Sequence, residues 1–178
     1  TTGALPRLPP ATIGGALGGV YPVRTLADVD AMAPEVVAGR RVLIVGGGYI
    51  GLEAAAVCAL KGLTVTLIEL APRILQRVAA SETSDFVREL HQGHGVDIRE
   101  STGLERFTGV GRVDGATLST GERLETDFAI IGIGMILLRG RDRNIPIPFG
   151  PYLAIAGWIT LLWGEDLMQF YLTWMGIK

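Results

Sequence analysis

Short runs of branched apolar residues alternate with helical patterns over most of this chain of 178 residues. RRVLIVG at 40–46 and LTVTLIEL at 63–70 have the apolar character of strands that are buried on both faces of a sheet. Between them, YIGLEAAAVCALKG changes to helical periodicity and ends at Gly62, a normal helix terminator. The pattern therefore predicts a strand, a helix and a second strand in succession, the unit from which parallel sheets are built.

Further elements follow and precede this unit. An amphipathic helix is predicted for SETSDFVRELHQGHG at 81–95, with Ser81 as its cap, and VDIRE at 96–100 supplies a third strand. Upstream, TLADVDAMAPEVV predicts a short helix with Thr25 as N-cap. Residues 1–22 are rich in Gly and Pro and are expected to form loop.

The sequence pattern changes between Gly103 and Glu125, where short segments are separated by turns that contain glycine. This pattern predicts a meander of antiparallel strands. DFAIIGIG at 127–134 then returns to the pattern of a buried strand. The expected fold is α/β: a Rossmann-like, doubly wound parallel sheet with an antiparallel β-meander insert and an apolar C-terminal helical tail.

The central motif is GGGYIG at 46–51, in which Gly46, Gly48 and Gly51 have GxGxxG spacing. Gly46 allows the chain to turn sharply off the strand, Gly48 has no Cβ to keep the backbone from a pyrophosphate, and Gly51 allows the helix to pack closely on the sheet. The helix that begins near Gly48 directs free N–H groups and the positive end of its dipole towards the phosphates. Because the motif follows a strand and opens a helix, it indicates a dinucleotide site rather than an ordinary glycine-rich loop.

Glu69, at the end of the second strand, indicates which dinucleotide is bound. A carboxylate there accepts hydrogen bonds from the adenosine ribose hydroxyls and repels a 2′-phosphate, so NADH is expected in preference to NADPH. Arg73 lies four residues further on and is interpreted as a surface side chain rather than as the partner of a 2′-phosphate. Gly132 and Gly134 end the last strand, where they either bring backbone close to the cofactor or form a plain strand-to-loop turn.

Composition narrows the range of functions. A formal net charge of −2 offers no basic field for nucleic acid, which is not expected as a partner. Cys58 is the only cysteine, which excludes an intramolecular disulfide or a CxxC redox pair, and its apolar neighbours predict a buried, inert thiol. His91 and His94 stand in a polar stretch without neighbouring ligands and are interpreted as solvated loop residues, so no metal site is expected.

Four segments resemble the ferredoxin, putidaredoxin and rubredoxin reductases of the pyridine nucleotide–disulfide oxidoreductase superfamily. They are RTLADVDAM, RRVLIVGGGYIGLEAAA, VTLIELAPRILQRV and GHGVDIRE, and the resemblance runs from Thr1 to about Gly134. It implies an NADH-binding Rossmann domain inserted into a FAD-binding one, with hydride passing from NADH to the flavin and single electrons to an iron–sulfur protein of the ferredoxin or rubredoxin type. The expected domains are a remnant of the FAD-domain segment with a linker at 1–38, the NAD(H)-binding domain at 39–135 and the apolar tail at 136–178.

The resemblance also assigns roles by position. The residues that correspond to the NADH pyrophosphate loop are Gly46, Gly47, Gly48, Tyr49, Ile50 and Gly51. Glu69 corresponds to the ribose acid, and Glu53 to a glutamate near the nicotinamide and flavin; the alternative for Glu53 is an ordinary first-turn acid that favours the helix dipole. Thr2 and Gly3 match the end of the family's ATG segment, and Arg24 matches an arginine that contacts FAD.

Parts of the family's pattern have no counterpart in this sequence. The upstream FAD fingerprint, the later GD segment and the C-terminal interface domain are missing, and after GIG the chain reads MILLRGRDRN instead of a short turn that ends in Pro-Asn. The chain is accordingly interpreted as a fragment of a FAD-dependent oxidoreductase, which binds FAD only if the missing half is supplied. The alternative is an inert NAD-binding module fused to a membrane helix.

The tail is a different kind of sequence. Its uncharged run from Asn144 to Gly164 is about the length of a bilayer-spanning helix, roughly 20 residues, and the arginines before it predict a cytoplasmic upstream end. RDRNIPIPFGPYLAIAGWITLLWG resembles the last membrane helix of bacterial type IV prepilin peptidases, but the two catalytic aspartates of that family have no counterpart here. Residues 145–164 are expected to form a helix outside the globular core. The expected location is the cytoplasm, with attachment to the bacterial inner membrane if this tail inserts.

Overall fold

The computed structural model describes residues 9–132, which form eight β-strands and three α-helices. The strands are β1 (Val20–Pro22), β2 (Arg41–Val45), β3 (Thr64–Ile68), β4 (Asp97–Arg99), β5 (Leu104–Thr108), β6 (Gly115–Leu118), β7 (Arg123–Glu125) and β8 (Phe128–Ile131). The helices are α1 (Leu26–Met32), α2 (Tyr49–Leu60) and α3 (Ser81–Gly93), with short 3-10 turns at Ala11–Ile13 and Ala33–Glu35.

Five strands form a parallel sheet in the order β1-β8-β2-β3-β4. In its centre, β2 pairs with β3 in the register Val42↔Val65 and with β8 in the register Val42↔Phe128. The connection that follows β2 leads to β3 on one side, whereas the late strand β8 returns to the other side. Strand order therefore reverses beside β2, and a crevice for a ligand is expected at the carboxyl ends of β2 and β8.

The two faces of the sheet are covered by different layers. Val42 and Ile44 of β2 belong to a buried cluster with Leu52 of α2, which lies on one face. Leu43, the intervening residue, points to the opposite face and packs in a second cluster with Phe107 of the antiparallel sheet β5-β6-β7. This alternation is why the strand is apolar throughout. The parallel sheet and the antiparallel meander are both confirmed, and the meander rather than a second helical layer covers that face.

Local signals placed the first helix correctly. Thr25 caps α1, because its Oγ1 accepts the Asp28 N–H at 3.2 Å while the Asp28 carboxylate accepts the Thr25 N–H at 2.8 Å. The two hydrogen bonds form a reciprocal capping box that satisfies amides at the helix start.

Two local predictions were wrong. Residues 20–22 were expected to be loop, but they form β1 and pair with β8 in the register Val20↔Ala129. The partner strand lies far along the chain, so the local Gly- and Pro-rich composition does not reveal the pairing. Ser81 does not cap α3: the N-cap is Ala80, and the Ser81 hydroxyl lies 3.2 Å from the Glu82 carboxylate instead.

The tail at 136–178 lies outside the described residues, as do Thr2, Gly3 and Gly134. The predictions made for them stay predictions. Among the helices within residues 9–132, none has both the length and the apolar character needed to span a bilayer.

Candidate nucleotide-binding site

Two glycines of the 46–51 loop are required by the protein's own backbone. Gly46 has a φ of +112°, a conformation that side chains rarely adopt, and its N–H donates to the Ile68 carbonyl at 2.9 Å. A Cβ on Gly51 would lie 2.0 Å from the Gly46 carbonyl oxygen. The chain therefore turns sharply off β2 at Gly46, and α2 lies in close contact with the end of that strand.

Gly48 meets a different environment. Its φ of −81° and ψ of 179° are extended backbone that any residue adopts, and a Cβ there would meet no atom within 4 Å. Neither the backbone conformation nor the packing among residues 9–132 calls for a glycine at this position. Within the described part of the chain, Gly48 faces open space in front of α2.

The start of α2 lies directly behind this opening. Gly48 is the N-cap, and the first hydrogen bond of the helix runs from the Leu52 N–H to the Gly48 carbonyl at 3.0 Å. No side chain of the described residues caps this end, so the N–H groups of Tyr49 and Ile50 in the first turn have no side-chain partner. Their partial positive charge suits a phosphate group.

The Glu69 carboxylate lies against the glycine loop. Its Oε2 accepts the Gly47 N–H at 2.6 Å, and its Oε1 accepts the Ala71 N–H at 2.8 Å. The side chain is half-buried at the end of β3. Glu69 thus stands beside the loop at the carboxyl edge of the sheet, the position of the acid in the dinucleotide fingerprint.

Gly132 is the second predicted site residue that the fold brings to the loop. Its N–H donates to the Val45 carbonyl at 3.0 Å, and a Cβ on it would lie 3.2 Å from the Gly46 carbonyl oxygen and 3.3 Å from the Gly51 Cα. The end of β8 therefore packs directly on the glycine loop. A Cβ at position 132 would require the loop or the start of α2 to shift by a few tenths of an ångström.

Glu53 and Arg24 are less constrained. Glu53 is exposed on α2, and Arg24 is exposed just beyond β1. Because β1 is parallel to β2, Arg24 lies at the same carboxyl edge of the sheet as the glycine loop. Its backbone N–H donates to the Asp28 carboxylate at 3.1 Å, next to the cap of α1.

Arg73 is partly exposed, as a surface side chain is expected to be, and its guanidinium is held by hydrogen bonds within the protein. Its guanidinium donates to the Ser84 hydroxyl at 2.5 Å and to the carbonyls of Ala80 and Gln76 at 3.3 Å each. These bonds attach the loop after β3 to the start of α3. The guanidinium of Arg73 is therefore held in place by neutral groups of the protein.

Sequence reasoning missed Ile74 and Leu75, which lie under the loop. Ile74 is fully buried and its N–H donates to the Glu100 carboxylate at 2.8 Å. Leu75 is also buried, has a φ of +54°, and donates its N–H to the Gly47 carbonyl at 2.9 Å. The only signal in the sequence is a pair of apolar residues within the polar stretch PRILQR.

The single cysteine and the first histidine are structural. Cys58 is buried, as expected, and burial raises the pKa of its thiol to about 11, which makes the thiolate scarce at neutral pH. His91 lies within α3 rather than in a loop, with its ring nitrogens 2.8 Å from the Val87 carbonyl and 3.1 Å from the Leu52 carbonyl of α2. Over residues 9–132, the structure holds no cluster of three side chains suited to a metal ion.

The matches to known proteins agree with this geometry. The family model for the pyridine nucleotide-disulphide oxidoreductases matches residues 1–139. A ferredoxin–NAD(P)(+) reductase of Sphingomonas sp. is 48% identical over 124 residues, which are 69% of this chain and 30% of that protein. The ferredoxin reductase subunit of a 5,5'-dehydrodivanillate O-demethylase of Sphingobium sp. is 46% identical over 125 residues, with the same coverage of 69% and 30%.

Solved structures give the same result. The chain superposes on the reductase in a covalent putidaredoxin reductase–putidaredoxin complex with a TM-score of 0.68 and 36% identity, over 72% of this chain and 32% of that one. The chain thus spans about 30% of the length of the curated relatives that it matches. The fold, the glycine loop and these matches together show that the chain belongs to the pyridine nucleotide-disulphide oxidoreductase family.

Proposed function

We propose that the 46–51 loop and Glu69 bind the adenosine diphosphate half of NADH, as the NADH-binding part of a FAD-dependent reductase of the ferredoxin or rubredoxin type. The observation that carries this proposal is the open environment of Gly48. Its backbone is extended and its Cβ direction is empty, so nothing in the described chain requires glycine there. A pyrophosphate that approaches the backbone at a helix N-terminus does require it.

The proposed roles follow from the geometry. The N–H groups of Gly48, Tyr49 and Ile50 donate to the pyrophosphate oxygens, while Gly46, Gly51 and Gly132 keep the loop close to the sheet. Glu69 accepts hydrogen bonds from the adenosine ribose hydroxyls. Its two oxygens each accept one backbone N–H. A carboxylate has about four lone-pair sites, so acceptor capacity remains for the ribose.

The same carboxylate favours NADH over NADPH. A 2′-phosphate beside Glu69 is expected to cost about 1–3 kcal/mol through repulsion of like charges. Arg73 does not offset this repulsion, because its guanidinium is bonded to Ser84 and to two carbonyls. Titration with the two cofactors tests the assignment, and equal dissociation constants would show that Glu69 is not at the ribose.

Hydride transfer needs the second cofactor of the family, whose members use FAD and NAD(P)H. FAD, when bound, accepts hydride from NADH and releases electrons one at a time. We assign Thr2, Gly3 and Arg24 to the FAD side, Glu53 to the region of the nicotinamide and flavin, and Gly134 to a close approach of backbone to the bound cofactor. The proposed electron acceptor is an iron–sulfur protein of the ferredoxin or rubredoxin type, because the relatives are ferredoxin reductases and one is solved with putidaredoxin. Flavin absorbance in the purified chain tests whether FAD is retained.

The Gly48→Val variant tests the nucleotide site. Valine adopts the extended backbone of this residue, so the fold should tolerate it, while its branched side chain would occupy the place of the pyrophosphate. NADH binding should be lost in a calorimetric titration. Gly93→Val is the matched control, because a Cβ on Gly93 also meets no atom within 4 Å, at the far end of α3. Unchanged NADH affinity in Gly48→Val would overturn the assignment.

For the tail we propose a short apolar helix that resembles the last membrane helix of prepilin peptidases and attaches the cytoplasmic NADH-binding domain to the inner membrane. The support is the uncharged run at 144–164 in the sequence. In this second candidate, the chain binds NADH without transferring hydride. Phase partitioning of the full chain tests it: recovery in the detergent phase supports attachment, and recovery in the aqueous phase contradicts it.

A further inference from the structure

The middle glycine of the loop, Gly47, is held on both sides by the segment 69–75. Its N–H donates to the Glu69 Oε2 at 2.6 Å, and its carbonyl accepts the Leu75 N–H at 2.9 Å. A Cβ on Gly47 would lie 2.7 Å from the Ile74 Cγ2 and 3.2 Å from the Glu69 Cβ. Both polar backbone groups of Gly47 are therefore used, and its Cα is packed against the same segment, which we name the clasp.

The clasp determines where the next donor points. The Gly47 carbonyl and the Gly48 N–H belong to one planar trans peptide, in which C=O and N–H point in opposite directions. Since the carbonyl is bonded to Leu75, the Gly48 N–H points away from the clasp. The Cβ direction of Gly48 is open as well. The clasp thus turns one backbone donor outwards at the opening in front of α2.

The clasp is itself anchored, although its backbone is strained. Leu75 is buried with a φ of +54°, a conformation that a side-chain-bearing residue keeps only where its surroundings impose it. The preceding Ile74 N–H donates to the Glu100 carboxylate, which also pairs with Arg88 of α3 at 3.1 Å. The carbonyl of Leu75 accepts the Ala79 N–H at 3.0 Å. The contacts with Glu100, which follows β4, and with Ala79 therefore hold the conformation that presents the Leu75 N–H to the loop.

We infer that Glu69 is a positioning residue for the pyrophosphate loop in addition to an acceptor for the ribose, an inference that rests on the proposed binding of NADH. Glu69 holds the peptide before Gly47 and Leu75 holds the peptide after it, so the Gly48 N–H is oriented before the nucleotide arrives. Such preorganisation strengthens binding because less ordering remains to be done on association. Loss of the carboxylate should therefore weaken pyrophosphate binding even when the ribose has no hydroxyl for Glu69 to bind.

The test compares ADP with 2′,3′-dideoxy-ADP, which lacks both ribose hydroxyls, on the unmodified chain and on Glu69→Gln. Glutamine has the same shape but no charge: its NH2 group cannot accept from one of the two backbone N–H groups, and the hydrogen bond to the other is no longer charge-assisted. The affinity for both nucleotides should fall about tenfold or more. If only ADP binding weakens, Glu69 acts on the ribose alone and the inference is wrong. Glu105→Gln, which removes the same charge from an exposed position on β5, should leave both affinities unchanged.

Amide hydrogen exchange tests the clasp without any ligand. In the unmodified chain, the Gly47 N–H should exchange at least about tenfold more slowly than the Gly48 N–H, because only the first is bonded to a carboxylate. Glu69→Ala, which removes both acceptor oxygens, should remove most of that difference while the Leu75 N–H stays protected, which shows that the fold is intact. Equal exchange of Gly47 and Gly48 in the unmodified chain would overturn the inference. If the unmodified chain bound neither nucleotide, the proposed function would be wrong. The exchange rates would still show whether Glu69 holds the Gly47 N–H.

Discussion

Acidic residues at the two ends of the parallel sheet have different kinds of hydrogen-bond partner. At the amino end, Glu35 is buried and is satisfied by side chains: it accepts the Tyr21 hydroxyl at 2.9 Å and pairs with Arg40 and with Arg112, the latter at 2.6 Å. At the carboxyl end, Glu69 is satisfied by backbone N–H groups alone, next to glycines that leave open space. The first arrangement is complete within the chain. The second keeps room and acceptor capacity for something else.

The amino-end cluster joins parts of the chain that are distant in sequence. Tyr21 lies on β1, Glu35 follows α1, and Arg112 lies between β5 and β6. Burial on its own would raise the pKa of Glu35, but hydrogen bonds from Arg112, Tyr21 and Arg40 outweigh it and hold that pKa below its usual range. The guanidinium of Arg40 also lies 5.5 Å from the centre of the Phe128 ring. These contacts hold β1 and the meander to the sheet, which is a role in stability.

The two kinds of partner distinguish an acid that stabilises the fold from an acid that is available to a ligand. A buried acid whose partners are all side chains of the same chain has its charge already compensated. An acid that is bonded only to backbone, at the edge where ligands bind in open parallel sheets, keeps its charge available. Changes at the amino end should therefore alter stability, and changes at the carboxyl end should alter nucleotide binding.

The largest expected effect on stability comes from Glu35→Ala. Its loss leaves Arg40, Arg112 and the Tyr21 hydroxyl without their common acceptor, so the free energy of unfolding should fall by about 3 kcal/mol. This is the low end for a broken buried pair, because both arginines are partly exposed. Urea denaturation measures the change. The NADH affinity of the folded variant should be unchanged. A large loss of affinity would show that the amino end also affects nucleotide binding.

Gly51→Ala is expected to have the next largest effect, and it tests both properties at once. The added Cβ would lie 2.0 Å from the Gly46 carbonyl oxygen, so α2 has to move away from β2. The free energy of unfolding should fall by about 2 kcal/mol, as for an overpacked core site, and NADH affinity should fall with it. Denaturation and titration of the same sample measure the two losses. A variant of unchanged stability would show that the loop is not packed as described.

Acid should remove the stability that two carboxylates at the amino end contribute. Side-chain and backbone hydrogen bonds from Arg41 hold the pKa of Asp127 below its usual range, as Arg112 and its neighbours do for Glu35. Because both pKa values are lower in the folded state, their contribution to stability is present at neutral pH. It should be lost as the pH falls below about 4, where these carboxyls are protonated in the unfolded chain. Unfolding measured from pH 7 to pH 3 should show this loss, and a smaller one in Asp127→Asn.

The smallest expected effect on stability accompanies a large effect on binding. In Gly48→Ala the added methyl group meets no atom of residues 9–132 within 4 Å, apart from its chain neighbours, and the backbone is already extended. The free energy of unfolding should change by less than about 0.5 kcal/mol, while NADH affinity should fall at least about tenfold because the methyl group lies where the pyrophosphate approaches. Thermal melts and titrations of this variant beside Gly93→Ala provide the control. A stability loss as large as that of Gly51→Ala would remove the contrast between the two glycines.

Much of the fold was predictable because its signals are local. Continuous apolar runs identified β2, β3 and β8, the Thr25–Asp28 pair marked the start of α1, and glycine-containing turns marked the meander. β1 was not predictable, because its hydrogen bonds are made with β8 and its own residues carry no strand pattern. The start of α3 was misassigned to a Ser81 cap because the sequence offers a capping side chain there without showing whether its hydroxyl reaches the backbone.

Residue types and their spacing along the chain were enough to identify the family, the glycine loop at 46–51 and the acid at Glu69. Only the tertiary structure showed that Gly51 and Gly132 press on the Gly46 backbone while Gly48 faces open space. It alone brought Leu75 under Gly47 and engaged Arg73 with the start of α3. The physical reason is that a hydrogen bond or a steric contact depends on where the fold places two groups, and residues of the same type in one motif meet different neighbours.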